Sequence, residues 1–248
     1  LAHSNSRTPT PNARHVLLIA GLVAGAATFA SRTVPSEHAA SVIGLIFLGA
    51  TYWLCLRGGQ PGDFGLAGGG LLEREPLDPG RLARECAQAL AWSLAVSVVV
   101  FPPFVIGFAI WYQPDLPFEW SRAVSELGRG SSWGLADLVL GHLLVVALPE
   151  EAFFRGYLQS ALDRRWGTPL RGLGMDIGHG LWVSSAIFAL GHVATTPHPA
   201  RLAVFFPSLL FGLLRARTGG IGASIVFHAT CNMVAAVLAA GYGFGAPP

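Results

Sequence analysis

The chain has 248 residues, 52% hydrophobic and 12% charged, with a mean hydropathy of +0.51. Soluble domains carry roughly 25% charged residues, so this composition excludes an ordinary soluble domain and predicts a polytopic membrane protein with the lipid bilayer as its surroundings. A formal net charge of +2 without a cluster of basic residues gives no phosphate-tracking surface, and no nucleic acid partner is expected.

Seven apolar windows predict an all-α transmembrane helix bundle of about seven spans, near residues 15 to 30, 39 to 56, 86 to 112, 134 to 162, 180 to 195, 200 to 216 and 220 to 241. In the first, Gly21 and Gly25 stand in GxxxG spacing, which predicts a closely packed helix and not a signal peptide. The connector from Arg57 to Glu85 is rich in Gly and Pro and leads into Asp78-Pro79, a helix cap followed by proline at the first helical position. Pro102 and Pro103 predict a kink or break in the third span. Trp111, Tyr112, Trp120 and Trp133 flank span ends, where interfacial anchors belong. The three cysteines, Cys55, Cys86 and Cys231, lie in or beside apolar segments at no ligand-like spacing, which predicts buried thiols and neither disulfides nor a zinc cluster.

Arginine placement tests the segmentation independently, because all sixteen basic residues are arginine. Eleven fall on one side: Arg7, Arg14, Arg57, Arg74, Arg81, Arg84, Arg164, Arg165, Arg171, Arg215 and Arg217. Four, Arg32, Arg122, Arg129 and Arg201, fall on the other, and Arg155 alone lies inside a span. The positive-inside rule then places the N-terminus in the cytoplasm and the C-terminus outside.

Three spans carry residues that lipid rejects. The fourth has Glu150, Glu151 and Arg155, the fifth Phe188 and His192, and the seventh His228 and Asn232. A charge near the middle of a spanning helix costs about 2.5 to 3.5 kcal/mol on insertion scales, so paired carboxylates there need compensation. An offset of four puts Glu151 and Arg155 on one helix face as a pair, leaving Glu150, about 100° further round, for another partner. At about 1.5 Å per residue, Glu150, His192, His228 and Asn232 can share one layer. Such a set suits hydrolysis by activated water: a desolvated glutamate as general base, a histidine assisting, and further donors for the oxyanion that develops at a scissile carbonyl.

The strings Glu150-Glu151-Ala152-Phe153-Phe154-Arg155, Phe188-Ala189-Leu190-Gly191-His192 and His228-Ala229-Thr230-Cys231-Asn232 resemble, in order and on separate spans, the EExxxR, FxxxH and HxxxN motifs of the CPBP family of intramembrane glutamic endopeptidases, which includes CAAX prenyl proteases and Abi-type proteins. The resemblance implies a membrane-anchored protein or peptide as substrate and no cofactor. It implies that Glu150 activates water with His192 assisting, that His228 and Asn232 form the oxyanion site, and that Glu151 and Arg155 support them. It also implies a division into N-terminal helices and loops, residues 1–130, and a catalytic core, residues 131–248. Substrates open at this point are a prenylated C-terminus, a bacteriocin-like peptide, or a C-terminal sorting helix of a surface protein, the last cut by family members called myxosortases. The expected location is a bacterial inner membrane. Two histidines and a glutamate could hold zinc, but HExxH is missing and the carboxylates precede both histidines on another helix, so metal-free chemistry is expected.

Two other readings compete. Gly222-Ala223-Ser224 faintly resembles the GxS of rhomboid serine proteases, with Ser224 and His228 on one helix, although small residues near a helix start explain the serine more simply. A non-catalytic transporter, immunity protein or scaffold could keep a buried polar network for packing, but it has no need of Glu150 beyond the Glu151 and Arg155 pair.

Overall fold

The computed structural model describes residues 12–57, 61–73, 76–112, 115–128, 134–172 and 174–244. Arg7, Arg74, Arg129 and Trp133, used above for topology, lie outside the described residues. Each of the seven windows is a helix. They are α1 (Ala13–Thr33), α2 (Ser36–Leu56), α3 (Pro79–Tyr112), α5 (residues 135–166), α6 (His179–Thr195), α7 (Phe205–Thr218, entered through a 3-10 turn Pro199–Val204) and α8 (Gly222–Tyr242). The sequence reading missed α4 (Trp120–Leu127), a short helix packed on α8, and an antiparallel hairpin of β1 (Leu170–Gly172) and β2 (Met175–Ile177) between α5 and α6.

Five segments, Ala13–Thr33, Ser36–Leu56, Pro79–Tyr112, Pro199–Thr218 and Gly222–Tyr242, are long and apolar enough to cross a membrane by length and composition. The other two windows fall short for identifiable reasons: α6 has 17 residues, and α5 concentrates Asp137, Glu150, Glu151 and Arg155. The distribution of side chains confirms a polytopic bundle. Leu18, Leu22, Phe29, Leu45, Val99 and Ile110 point outward, whereas Glu151, Arg155, Ser184, Ser208, Ser224 and His228 are buried. An apolar exterior around a polar interior is what a hydrocarbon solvent selects.

Local sequence chemistry sets the helix ends. Asp78 Oδ1 accepts the backbone N–H groups of Gly80 and Arg81 at 2.9 and 3.0 Å, the cap that Asp78-Pro79 predicted, and these bonds hold its carboxyl below the ordinary carboxylate value. α7 closes on Gly219 at φ 73°, a left-handed position that suits glycine. The connector after α2 turns back into the bundle end: Leu66 joins the core, Glu85 accepts the Gly69 N–H at 2.8 Å, and Gly65 O accepts from Ile221 N at 3.2 Å.

Three expectations change. Pro102 and Pro103 do not break the third span, because α3 runs unbroken from Pro79 to Tyr112; the fixed φ of proline is itself helical, so the pair removes donors without ending the helix. Gly21 and Gly25 make no close packing contact, with nothing within 4 Å of a β-carbon built on either, and α1 instead buries Val16, Ala20, Ala27 and Ala30. Close helix approaches fall instead at Gly44 of α2, where a β-carbon would stand 2.8 Å from Val145 O of α5, and at Gly180 of α6, where it would stand 2.5 Å from Gln159 O of α5. Of the cysteines, Cys55 is buried and Cys231 half-buried, but Cys86 is exposed on α3.

Candidate active site

α5 carries the carboxylates at a change of helical pitch. Its segments Gly141–Ala147 and Ala152–Gln159 are π-helical, and Leu148–Glu151 between them is a single α-turn. π-Turns re-aim side chains within a continuous helix and recur at functional sites. Here the short α-turn presents Glu150 and Glu151 toward α8, which packs against the first π segment, while α6 packs against the second.

The expected pair is present: Arg155 Nη1 donates to Glu151 Oε1 at 3.1 Å, both side chains having no exposed surface. Arg155 Nη2 also donates to Ser208 O at 2.9 Å and to Ser208 Oγ at 2.6 Å, so α7 closes the guanidinium from the far side. The rings of Phe188 and Phe211 lie 4.7 and 5.1 Å from that cation. Hydrogen bonds, a counter-charge and aromatic faces together compensate a charge that the bundle interior would otherwise expel.

His228 lies between the two glutamates. Its Nδ1 is 2.8 Å from Glu151 Oε1 and its Nε2 is 3.8 Å from Glu150 Oε2. Phe211 stacks on the imidazole with centroids 4.6 Å apart and planes 13° apart, and Phe188 meets it edge-on at 5.8 Å. His192 is held by its own helix, with Nδ1 3.0 Å from Phe188 O, and lies within electrostatic reach of Glu150. Phe188 therefore packs against both histidines and Arg155, a structural account of the phenylalanine in FxxxH. Asn232 is half-buried one turn beyond His228 on α8.

Glu150 is the open member of the set. Its side chain keeps 13% exposure, no described residue donates to its Oε2, and it borders a crevice of about 140 Å³ between α2 and α5 lined by Ile43, Gly44, Phe47 and Val145. A larger apolar cavity of about 850 Å³ lies between α3, α6 and the turn into α7, walled by Phe104, Phe108, Trp111, Ala189, Leu190 and Phe206. Ser224 Oγ is buried and donates to Phe211 O at 2.7 Å, a packing bond to α7. Among the described residues, no group of three His, Cys, Asp or Glu side chains converges as metal ligands do.

The sequence reading missed three residues near this site. Ser208 and Phe211 come from α7, a span without a motif of its own, and only the fold brings them to Arg155 and His228. His142, in the first π segment, lies within electrostatic reach of His228 and has a buried Nδ1 with no hydrogen-bond partner among the described residues; a histidine in an apolar run was the available signal.

Carboxylates, an arginine and histidines thus meet in the interior of an all-α membrane bundle, a polar site that lipid by itself would reject. Residues 132–234 match the family model described as Type II CAAX prenyl endopeptidase Rce1-like, in agreement with the CAAX protease resemblance of the three motifs. All three motifs lie within the match. No curated protein and no solved structure matches the chain.

Proposed function

We propose that the protein is a glutamate-dependent intramembrane endopeptidase that cuts a membrane-associated protein or peptide near its C-terminus, as a CAAX-type protease does. The observation that carries this reading is the division of labour between adjacent carboxylates. Glu151 is buried and bonded to Arg155 and His228, whereas Glu150 Oε2 has no donor among the described residues and faces His228 Nε2 across 3.8 Å. In the proposed reaction Glu150 takes a proton from water, the oxygen adds to the scissile carbonyl carbon, and the C–N bond then breaks as the leaving amine is protonated. His192 assists Glu150, and Asn232 with its neighbours faces the developing oxyanion. The 850 Å³ apolar cavity, which borders Ala189 beside Phe188, suits an apolar portion of the substrate.

The N-terminal helices supply walls to this core: α2 forms one side of the crevice at Glu150, and α3 one side of the large cavity. The arginine distribution supports an N-terminus in the cytoplasm and a C-terminus outside, and the proposed location is a bacterial inner membrane.

The deciding experiment is Glu150→Gln, assayed for cleavage of a co-expressed candidate membrane substrate with protein level monitored. Loss of cleavage at unchanged protein level is expected. Retained cleavage would sink the glutamic mechanism, and biological activity persisting without any cleavage would favour a scaffold.

A further inference from the structure

The bundle has two unlike ends, and contacts fix which helix ends lie together. At the arginine-rich end Arg164 Nη1 donates to Asp63 O at 3.2 Å and Arg217 Nη1 to Gly174 O at 3.4 Å. At the other end Arg32 Nη2 donates to Ala194 O and Arg122 Nη1 to Gly241 O, both at 2.8 Å. The connector after α2 closes the arginine-rich end. Leu66 comes within 3.0 Å of a β-carbon built on Gly156 of α5, Phe64 stacks on Tyr157 with centroids 6.4 Å apart, and Arg164 lies over the Phe64 ring at 4.1 Å. Gly65, at φ 67°, accepts from Ile221 N of α8 at 3.2 Å and packs so tightly on Arg215 of α7 that a β-carbon would stand 2.6 Å from Cζ. Asp163 of α5 accepts the Gly180 N–H at the start of α6 at 2.8 Å. Between Glu150 and the arginine-rich surface, α5, α6, α7 and α8 are therefore joined directly or through the connector.

The opposite half is open. The crevice at Glu150 is lined by Ala40, Ile43 and Gly44 in the first half of α2 and by Val145 and Val146, about one turn before Glu150 on α5. The large cavity faces the same way, walled by Phe104, Phe108 and Trp111 in the last third of α3, by Ala186 and Ala189 of α6, and by the turn into α7. α6 also ends early on this side. Its 17 residues span about 26 Å, less than the roughly 30 Å of bilayer hydrocarbon. His192 lies one turn before its last residue, Thr195, but about 20 Å from its first, His179. Arg201, in the turn that follows, is flanked by the cavity-lining Ala200 and Leu202, lies within electrostatic reach of His192, and has no side-chain partner among the described residues. Arg32 and Arg122, at the same end, are held by carbonyls. A guanidinium without a counter-charge keeps its water, so water comes near His192 from this end.

We infer that water and substrate enter the site from the arginine-poor, extracytoplasmic side, and that the substrate is a membrane-anchored chain whose scissile bond lies on that side, its apolar anchor seated in the large cavity. Calling this path catalytic rests on the proposed reading of Glu150 as the water-activating base; the side of access rests on packing. No charged side chain lines the cavity among the described residues, so it favours an apolar segment over a polar one. Leu190 and Phe206 on its wall are 59% and 69% exposed, so a chain already in the bilayer can enter sideways. Ala189 and Leu190 stand between Phe188 and His192, and a segment seated against them lies beside the site.

The first test reads accessibility and needs no substrate. Single cysteines are placed in a Cys86→Ser background, since Cys86 is the exposed native thiol and Cys55 and Cys231 are buried and half-buried. Val146→Cys and Ile43→Cys report the crevice at Glu150, Arg165→Cys the arginine-rich end, and Thr33→Cys the other. A charged, membrane-impermeant thiol reagent is added to right-side-out and to inverted membrane vesicles. Both crevice cysteines should react at least about 10-fold faster in the vesicles that label Thr33→Cys than in those that label Arg165→Cys. Faster reaction from the Arg165→Cys side, or reaction from neither side, overturns the inference, and the second crevice position decides if the first variant does not fold. A further arm uses a co-expressed candidate substrate with its cut segment on one or the other side of its anchor. Cleavage is expected for the extracytoplasmic placement alone, and Ala186→Phe, which fills the cavity, should slow it at least about 10-fold. Cleavage of the cytoplasmic placement, or an unchanged rate in Ala186→Phe, overturns the inference; cleavage of neither rejects that candidate and leaves the labelling to decide. Glu150→Gln retaining cleavage would refute the base and leave the labelling pattern as it is, so the two failures are told apart.

Discussion

Arg155→Met should be among the most destabilising single changes available in this protein. The substitution keeps an unbranched side chain but removes three hydrogen bonds: to Glu151 Oε1 at 3.1 Å, Ser208 O at 2.9 Å and Ser208 Oγ at 2.6 Å. Glu151 has no exposed surface, and after the change its one remaining side-chain partner among the described residues is His228 Nδ1, at 2.8 Å. Breaking a buried pair by removing one partner costs about 3–5 kcal/mol, because the remaining charge is left uncompensated. At about 2–4 °C per kcal/mol for a chain of this size, the melting temperature in detergent should fall by about 6–20 °C. The double variant Glu151→Gln/Arg155→Met removes both charges and keeps an amide oxygen for the His228 Nδ1–H. It should recover most of that loss, with a coupling of at least about 2 kcal/mol in the double-mutant cycle. Thermal unfolding of the four proteins at one detergent concentration, followed by tryptophan fluorescence, measures this. A single variant melting within about 2 °C of wild type, or a double variant no more stable than additivity predicts, would refute the claim that the pair is a mutually dependent buried unit.

Two further outcomes can be checked on the same preparations. Ser224→Ala removes a buried bond to Phe211 O and should cost about 1 kcal/mol in stability while leaving cleavage intact; loss of cleavage by a folded protein would return the serine to the chemistry. Asp163, just past the end of the fourth predicted span, is pushed by burial from 3.8 up to about 6, against the opposing pull of the Gly180 N–H it accepts at 2.8 Å. A carboxyl raised in the folded state favours the protonated form there, so its contribution to stability is complete below about pH 4 and lost as pH rises through about 6. The Asp163→Asn variant keeps an acceptor for Gly180 without titrating. The melting temperature of wild type relative to that variant should therefore fall between pH 4 and pH 7, and a pH-independent difference would contradict the burial argument.

The segmentation into spans was legible in the sequence because hydrocarbon imposes a length and a composition on each crossing, and every window became a helix, the third one starting at Pro79, well before its window at 86. The Asp78-Pro79 helix start was equally legible, since a cap is a contact between near neighbours. So was the Glu151–Arg155 pair, which four-residue spacing brings together on one helix. Interhelical contacts were another matter. GxxxG spacing pointed to Gly21 and Gly25, yet close approaches fell at Gly44 and Gly180, because which face of an apolar helix meets protein and which meets lipid is not marked when both are apolar. His142, Ser208 and Phe211 belong to the same class: their spacing relative to one another says nothing, and only helix packing brings them to the site.

For this protein the sequence alone determined that three helices carry polar residues lipid would reject, and that Glu151 would pair with Arg155, because hydropathy and helical periodicity act over one turn. The tertiary structure decided what those residues face. It set His228 between the two glutamates with Nδ1 on Glu151, tied His192 to its own helix, and brought Ser208 from α7 onto Arg155. The His228–Glu151 and Ser208–Arg155 relations join residues 77 and 53 positions apart, across helices whose rotation is set by packing and by the π-turns of α5 and by no local pattern in the chain, whereas the His192 bond is a contact within one helical turn.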